Sequence, residues 1–269
     1  MQNEVKNQRL IAPAASAHRG VKAPSIAWML YFFLTIGLVG FVFSYLLALP
    51  LCIAGRLWPR LWKWGGRIQA KGVATLMKLQ PWFYADIIFD VPRTRLGERG
   101  YLTVSNHRSH LDMFILLSHI PNIRAITKRD LFFIPFLNIM MVALKMIPVR
   151  RKDVGSFLES MDIARAAIDK GDPVHIFPEL SRCPSGMCGT NEFSSLPFRM
   201  AQKAKVLIYP IVFVGTDGAW PKETLGIRFG SPVKVRTLAA INPSDFDNAH
   251  DLRLEVKSRI DRELLSHGT

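Results

Sequence analysis

No charged residue lies between Lys22 and Arg56, and from Ile26 to Gly55 the chain is dominated by Leu, Phe, Ile, Val and Ala. A helix over that stretch is about 45 Å long, against a bilayer hydrocarbon core of about 30 Å. It therefore spans with tilt, or bends near Pro50 and returns. The length of the uncharged run argues against a core helix of a water-soluble domain. A cleaved leader is disfavoured too, because its apolar region is shorter and ends in a small-x-small site that is missing here.

The next segment is basic and aromatic. Arg56, Arg60, Lys63, Arg67 and Lys71 fall at helical spacing, and no acidic residue appears before Asp86. Leu57, Trp58, Leu61, Trp62 and Ile68 accompany that stripe. The pattern predicts an interfacial helix with its Trp residues at headgroup depth and its cations on anionic lipid. Pro59 is placed to open it, and Gly65-Gly66 are expected to weaken it. The Lys and Arg excess after the apolar run puts the C-terminal bulk on the cytoplasmic side. The predicted organisation is an N-terminal tail (1–25), a membrane-anchoring and interfacial region (26–84) and a catalytic domain (85–269).

The charge balance points the same way. Lys and Arg number 35 against 21 Asp and Glu, a formal net charge of +14, which calls for an anionic partner. No nucleic-acid motif accompanies the charge, so anionic lipid or a phosphorylated substrate is the better fit. Cys52, Cys183 and Cys188 make no disulfide framework and lack a second Cys/His pair at zinc spacing. They read as free cytosolic thiols, and no metal site is expected.

From residue 85 onward, strand-like runs alternate with helical patterns. The strands are expected near Tyr101–Ser105, Ile123–Thr127, Met146–Val149, Pro173–Phe177 and Val206–Val214, with late ones at Leu225–Phe229 and Pro232–Thr237. The clearest helix carries Val154, Phe157, Leu158, Met161 and Ile168 at helical spacing and stops at Gly171, and Leu252–Leu265 reads as a charged surface helix. Such alternation predicts an α/β domain with a mostly parallel sheet flanked by helices.

In open α/β sheets ligands bind beyond the carboxyl ends of the strands. Five polar residues fall there: His107, Lys128, Arg150, Glu179 and Arg182. His107 precedes Asp112 by about one helical turn. A carboxylate holding one ring nitrogen leaves the other free to take a proton from a hydroxyl. Taken alone, the pair also fits the ordinary polar start of a capped helix. Cations beside a histidine base suit a phosphorylated alcohol as substrate.

Four blocks in order now resemble one family. Asn106-His-Arg-Ser-His-Leu-Asp112 matches the N-H-x-x-x-x-D block of the lysophosphatidic-acid acyltransferases, within the glycerolphosphate acyltransferase superfamily. Lys128-Arg-Asp-Leu131 with Pro135 and Val149-Arg150 is similar to the second block, Phe177-Pro-Glu-Leu-Ser-Arg182 to the third, and Tyr209-Pro-Ile211 to the fourth. The resemblance covers roughly residues 85–240. Two departures stand out. Asn138 replaces a usual Gly, and Leu180-Ser181 replaces a usual Gly-Thr in the turn assigned to the acceptor.

The resemblance implies a membrane-bound enzyme, on the cytoplasmic face of a bacterial inner membrane, that acylates the sn-2 hydroxyl of 1-acylglycerol 3-phosphate. Its donor would be an acyl-CoA or acyl carrier protein thioester, with no cofactor. In that reading His107 is the base, Asp112 orients it, Glu179 and Arg182 frame the acceptor headgroup, and Lys128 and Arg150 add charge near the phosphate. His110 and His175 are structural, and Pro135 and Pro210 shape turns. The absence of a G-x-S-x-G elbow weakens a serine-hydrolase reading. Two alternatives stay open: another lysolipid acceptor, or a non-catalytic lipid-binding membrane protein.

Overall fold

The computed structural model describes residues 26–79, 83–92, 98–134, 137–150, 152–184, 189–222 and 231–267. The apolar stretch is one continuous helical rod, α1 (Ile26–Gly40), a π-helical segment (Phe41–Ala48) and α2 (Leu49–Ala54). The rod does not turn back at Pro50. Proline removes one intrahelical donor and crowds the preceding turn, and the wider π turn just before it accommodates that loss. Reversal comes later, at residues 55–58, and α3 (Pro59–Lys78) runs back along the rod until Tyr31 Oη donates to Leu79 O at 2.8 Å. The stretch Phe33–Ala54, with mean hydropathy 2.3, is long and apolar enough to cross a membrane, and little of it is buried.

α3 carries the exposed face expected of an interfacial helix and, beside it, a buried one. Arg60, Lys63, Arg67 and Lys71 do form an exposed stripe, but Gly65, Gly66, Gln69, Gly72, Val73 and Leu76 form a buried one. Of the two glycines expected to weaken the helix, Gly65 faces the rod together with Gly72 and lets it approach, whereas Gly66 faces Asn122 and Ala143. A Cβ on Gly72 would lie 2.6 Å from the Phe43 side chain, and one on Gly65 would lie 2.9 Å from Cys52 Sγ. Close packing outweighs the helix propensity of an alanine at those positions. The other side of α3 packs on the sheet domain through Val73.

Among the described residues seven strands form one sheet: β1 (Phe83–Ile88), β2 (Leu102–Ser105), β3 (Arg124–Lys128), β4 (Ile147–Val149), β5 (Val174–Ile176), β6 (Ile208–Val214) and β7 (Ser231–Thr237). Their order is β1-β7-β6-β2-β5-β3-β4, and every pairing is parallel except β6 with β7. β1 was not anticipated; it pairs with β7 from Phe83 onward. The expected strand Leu225–Phe229 lies outside the described residues. Pro210 lies within β6, not in a turn, and its carbonyl accepts from Leu238 N. Pro135 lies outside the described residues.

Helices cover both faces. α4 (Leu111–His119) and α5 (Leu137–Ala143) join α3 on one, enclosing Ile115, Leu116, Met140, Ile211 and Val235. α6 (Val154–Asp169), α7 (Leu196–Ala204) and α9 (Ala249–Ser266) cover the other, around Leu102, Val104, Ile176, Phe198 and Ile208; a short α8 (Thr216–Ala219) follows β6. α6 is capped by Asp153, which accepts from Ser156 N, and ends before Gly171 at φ 90°. Of its expected apolar face, Val154 and Leu158 are exposed, whereas Phe157, Met161 and Ile168 are buried. α9 carries its charges outward and buries Leu252, Val256, Ile260 and Leu264 at intervals of four.

Candidate active site

β2 is buried on both faces and delivers the chain to the carboxyl edge of the sheet. There Asn106 ends the strand by acting as a piece of backbone. Its Nδ2 donates to Phe213 O and its Oδ1 accepts from Phe213 N, both at 2.8 Å, which ties the following loop to β6. Arg108, largely buried, ties the same loop to Asp217 in α8 and to Gly189 O. Neither tether was read from the sequence, although Asn106 is the first letter of its motif.

Between His107 and Asp112 the chain curls into the start of α4, and this makes the five-residue spacing work. Asp112 Oδ2 accepts from His107 Nδ1 at 2.9 Å and from the backbone N–H groups of Arg108 and Ser109, both at 2.8 Å. Asp112 is fully buried in the first turn of α4, where the helix dipole favours a negative charge. The Nδ1 contact leaves His107 Nε2 as the nitrogen available to a substrate, and the ring remains partly exposed. Phe177 stacks against the imidazole with ring centroids 3.9 Å apart, fixing its plane.

Beneath that stack lies a fully buried histidine. His175 contacts Thr103 Oγ1 through Nδ1 at 2.9 Å and Ser105 Oγ through Nε2 at 3.3 Å. Burial pushes its pKa down to about 3, so it is neutral. His110 is also driven down, to about 4, first by desolvation and then by Arg182 and His107, with Lys128 adding to the effect. Arg182 and Lys128 are thus within electrostatic reach of His110. Lys222 adds a further cation nearby, its Nζ donating to Arg182 O at 2.7 Å.

Two expected substrate contacts take other places. Glu179 is only 6 % exposed, and both its oxygens face protein donors. Oε1 accepts from His107 N at 2.8 Å, while Oε2 accepts from Asn191 N at 2.8 Å and from Cys183 Sγ at 2.7 Å. It braces the histidine loop from below, with no face toward an acceptor headgroup. Burial raises its carboxyl pKa, and the three donors work against that rise. Arg150 follows the edge strand β4, three strands from β2, a separation of roughly 14 Å. It is exposed and lies 3.9 Å from Asp153, so it is not gathered with His107.

Leu180, where the resembling motif has Gly, takes a left-handed φ of 58° and is 55 % exposed. The turn keeps the backbone shape that glycine serves and adds an isobutyl group at the mouth of the site. Among the described residues no three His, Cys, Asp or Glu side chains gather as a metal site. Cys52 and Cys183 are free thiols, and Cys188 lies outside the described residues.

Residues 87–214 match the model of a family described as Acyltransferase. The chloroplast 1-acyl-sn-glycerol-3-phosphate acyltransferase of Arabidopsis thaliana is 32% identical over 54% of this chain and 40% of its own length. The 1-acyl-sn-glycerol-3-phosphate acyltransferase of Helicobacter pylori is 28% identical over 62% of this chain and 69% of that protein. Over residues 87–214, a little under half of its length, the chain is similar to this acyltransferase family. The resemblance carried by the four blocks therefore holds. The chain spans less than half the length of the plant relatives it matches. Its fold is similar to the crystal structure of the 1-acyl-sn-glycerophosphate acyltransferase of Thermotoga maritima, with TM-score 0.72 at 21% identity over 88% of this chain and 93% of that one.

Proposed function

We propose that the protein transfers a fatty acyl group from a thioester donor to the sn-2 hydroxyl of 1-acylglycerol 3-phosphate, giving phosphatidic acid. The observation that carries this reading is the contact of His107 Nδ1 with the buried Asp112 carboxylate, which leaves Nε2 to meet the hydroxyl. His107 Nε2 removes the hydroxyl proton as the oxygen attacks the thioester carbonyl. The C–S bond then breaks, and the imidazolium returns its proton to the departing thiolate. Asp112 stabilises the transient imidazolium and holds the ring in one tautomer. Arg182 and Lys128 supply positive charge for the acceptor phosphate.

The donor is acyl-CoA or acyl carrier protein. The exposed apolar rod and the basic stripe on α3 hold the protein at a membrane, with the sheet domain on the cytoplasmic face of a bacterial inner membrane. A second reading keeps the chemistry and changes the acceptor to another lysolipid, and the bulk of Leu180 in the acceptor turn favours it. Both are tested by assaying the purified protein with acyl-CoA or acyl carrier protein against a panel of lysolipids. Turnover confined to lysophosphatidic acid supports the first, and preference for another headgroup supports the second. No acyl transfer to any acceptor would remove both.

A further inference from the structure

One cleft gathers chemistry that this reaction does not use. It is an open cleft lined by Trp62 and Lys63 of α3, Asn122 and Arg124 at the start of β3, Lys145 between α5 and β4, and Asp172 before β5. These positions lie at the amino ends of the strands whose carboxyl ends carry the site above. The five residues of β3 alone separate the two edges by roughly 16 Å.

The cleft holds three cations against one carboxylate. Arg124 and Asp172 pair with each other, both largely buried. Among the described residues Lys63 and Lys145 have no ion-pair partner. Lys145 rests its ammonium over the Trp62 ring, 4.9 Å from the centroid, and Trp62 is itself pinned by its Nε1 donating to Ala143 O at 3.0 Å. Burial lowers the pKa of Lys145, and Arg124 and Lys63 lower it further. Lys145 also holds a left-handed φ of 51° and Asn122 one of 58°, so both loops depart from ordinary backbone where they line the cleft. Lys63, Asn122 and Lys145 offer donors from three different walls. Ammonium and amide donors suit the acceptor oxygens of a phosphoryl group.

We propose that this cleft binds a phosphoryl anion, carried on a lipid headgroup or free in solution, at a place separate from the reaction centre. The exposed cations Arg60 and Arg67 continue outward from Lys63 along α3, giving an anionic headgroup a path into the cleft. The cleft would bind its anion whether or not the protein transfers acyl groups.

The test uses the full chain carrying Arg182→Ala, so that anion binding near His107 contributes as little as possible. The probes are inorganic phosphate, read as a rise in Tm, and phosphatidylcholine vesicles with or without phosphatidylglycerol, read by co-sedimentation. Lys63→Gln/Lys145→Gln removes two charges from the cleft. Lys71→Gln/Lys78→Gln removes two from the same helix outside it. A phosphate-dependent rise in Tm that only the cleft pair abolishes supports a free phosphoryl ligand. No phosphate effect, but a loss of phosphatidylglycerol-dependent binding larger in the cleft pair than in the outer pair, supports a headgroup. If the two pairs behave alike with both probes, or the parent protein responds to neither, the proposal is overturned. Should the cleft pair show a lowered Tm without phosphate, Lys63→Gln alone, at an exposed side chain, carries the same comparison.

Discussion

Among the described residues His107→Ala removes the one ring nitrogen held by a buried carboxylate, and acyl transfer should fall at least ~100-fold in steady-state assays. Folding should survive, because the ring is partly exposed; near-normal turnover would leave the base unassigned. Cys183 offers a pH signature. Burial, with Glu179 beside it, pushes its thiol up to about 12 from an ordinary 9.0. Above pH 9 the unfolded thiol ionises while the native one keeps its proton, so the native state binds more protons and stability falls as pH rises toward 12. The slope is at most about 1.4 kcal/mol per pH unit. Cys183→Ser retains an O–H donor for Glu179 and should lose that slope in thermal melts between pH 9 and 11. At Leu180 the left-handed φ makes β-branching costly. Leu180→Val should lower stability by about 1–2 kcal/mol. Leu180→Gly should change it by less than about 1 kcal/mol, since relief of the backbone is offset by a freer unfolded chain. Equal effects of Val and Gly on Tm would contradict the geometry.

The hairpin shows how one substitution can change sign along an element. Gly37 has nothing within 4 Å of a built Cβ. Gly37→Ala should gain up to about 1 kcal/mol of helix stability. At Gly55 the same Cβ would lie 2.7 Å from Trp62 N and 2.9 Å from Leu51 O, both backbone atoms that cannot swing aside. Gly55→Ala should cost about 1–3 kcal/mol by forcing the two helices apart. Melting of the two variants in one detergent compares them directly, and a stabilising Gly55→Ala would refute the packing argument. On propensity alone, Gly65 and Gly66 look like weak points. Gly65 serves a helix that precedes it in the chain and packs back against it, and Gly66 faces Asn122 and Ala143 far along the chain, neither of which a local pattern reveals. Pro50 obeys the same logic, because the register of the rod absorbs it and the turn forms where Gly55 permits it.

At the scale of the whole molecule, two forces can hold the protein at a bilayer: the basic stripe of α3 and the exposed Leu30, Phe33, Leu34 and Leu38 of α1. Salt separates them. At 1 M the Debye length shrinks to about 3 Å, and the charge contribution to binding is largely lost. Co-sedimentation with anionic vesicles should therefore persist at 1 M salt in the parent protein. In Leu34→Glu/Leu38→Glu it should become salt-sensitive. Release of the parent protein by salt alone would mean that the apolar face does not enter lipid.

Periodicity and composition determined much of this protein before any coordinates. The uncharged run, the alternation of short β-branched strands with helices, and polar residues placed just after strands are local patterns, and local patterns survive in one dimension. Hence the mostly parallel sheet, the edge that carries the site and the His107–Asp112 pair were legible. β1 was not, because Phe83–Ile88 becomes a strand only by pairing with β7, nearly 150 residues later. Position after a strand also cannot say which strands end up adjacent. The strand order puts the ends of β5 and β3, which lead to Arg182 and Lys128, between His107 and Arg150 at the far edge. Burial then turns Glu179 inward to hold the histidine loop, since a carboxylate that deep must direct its oxygens to protein donors.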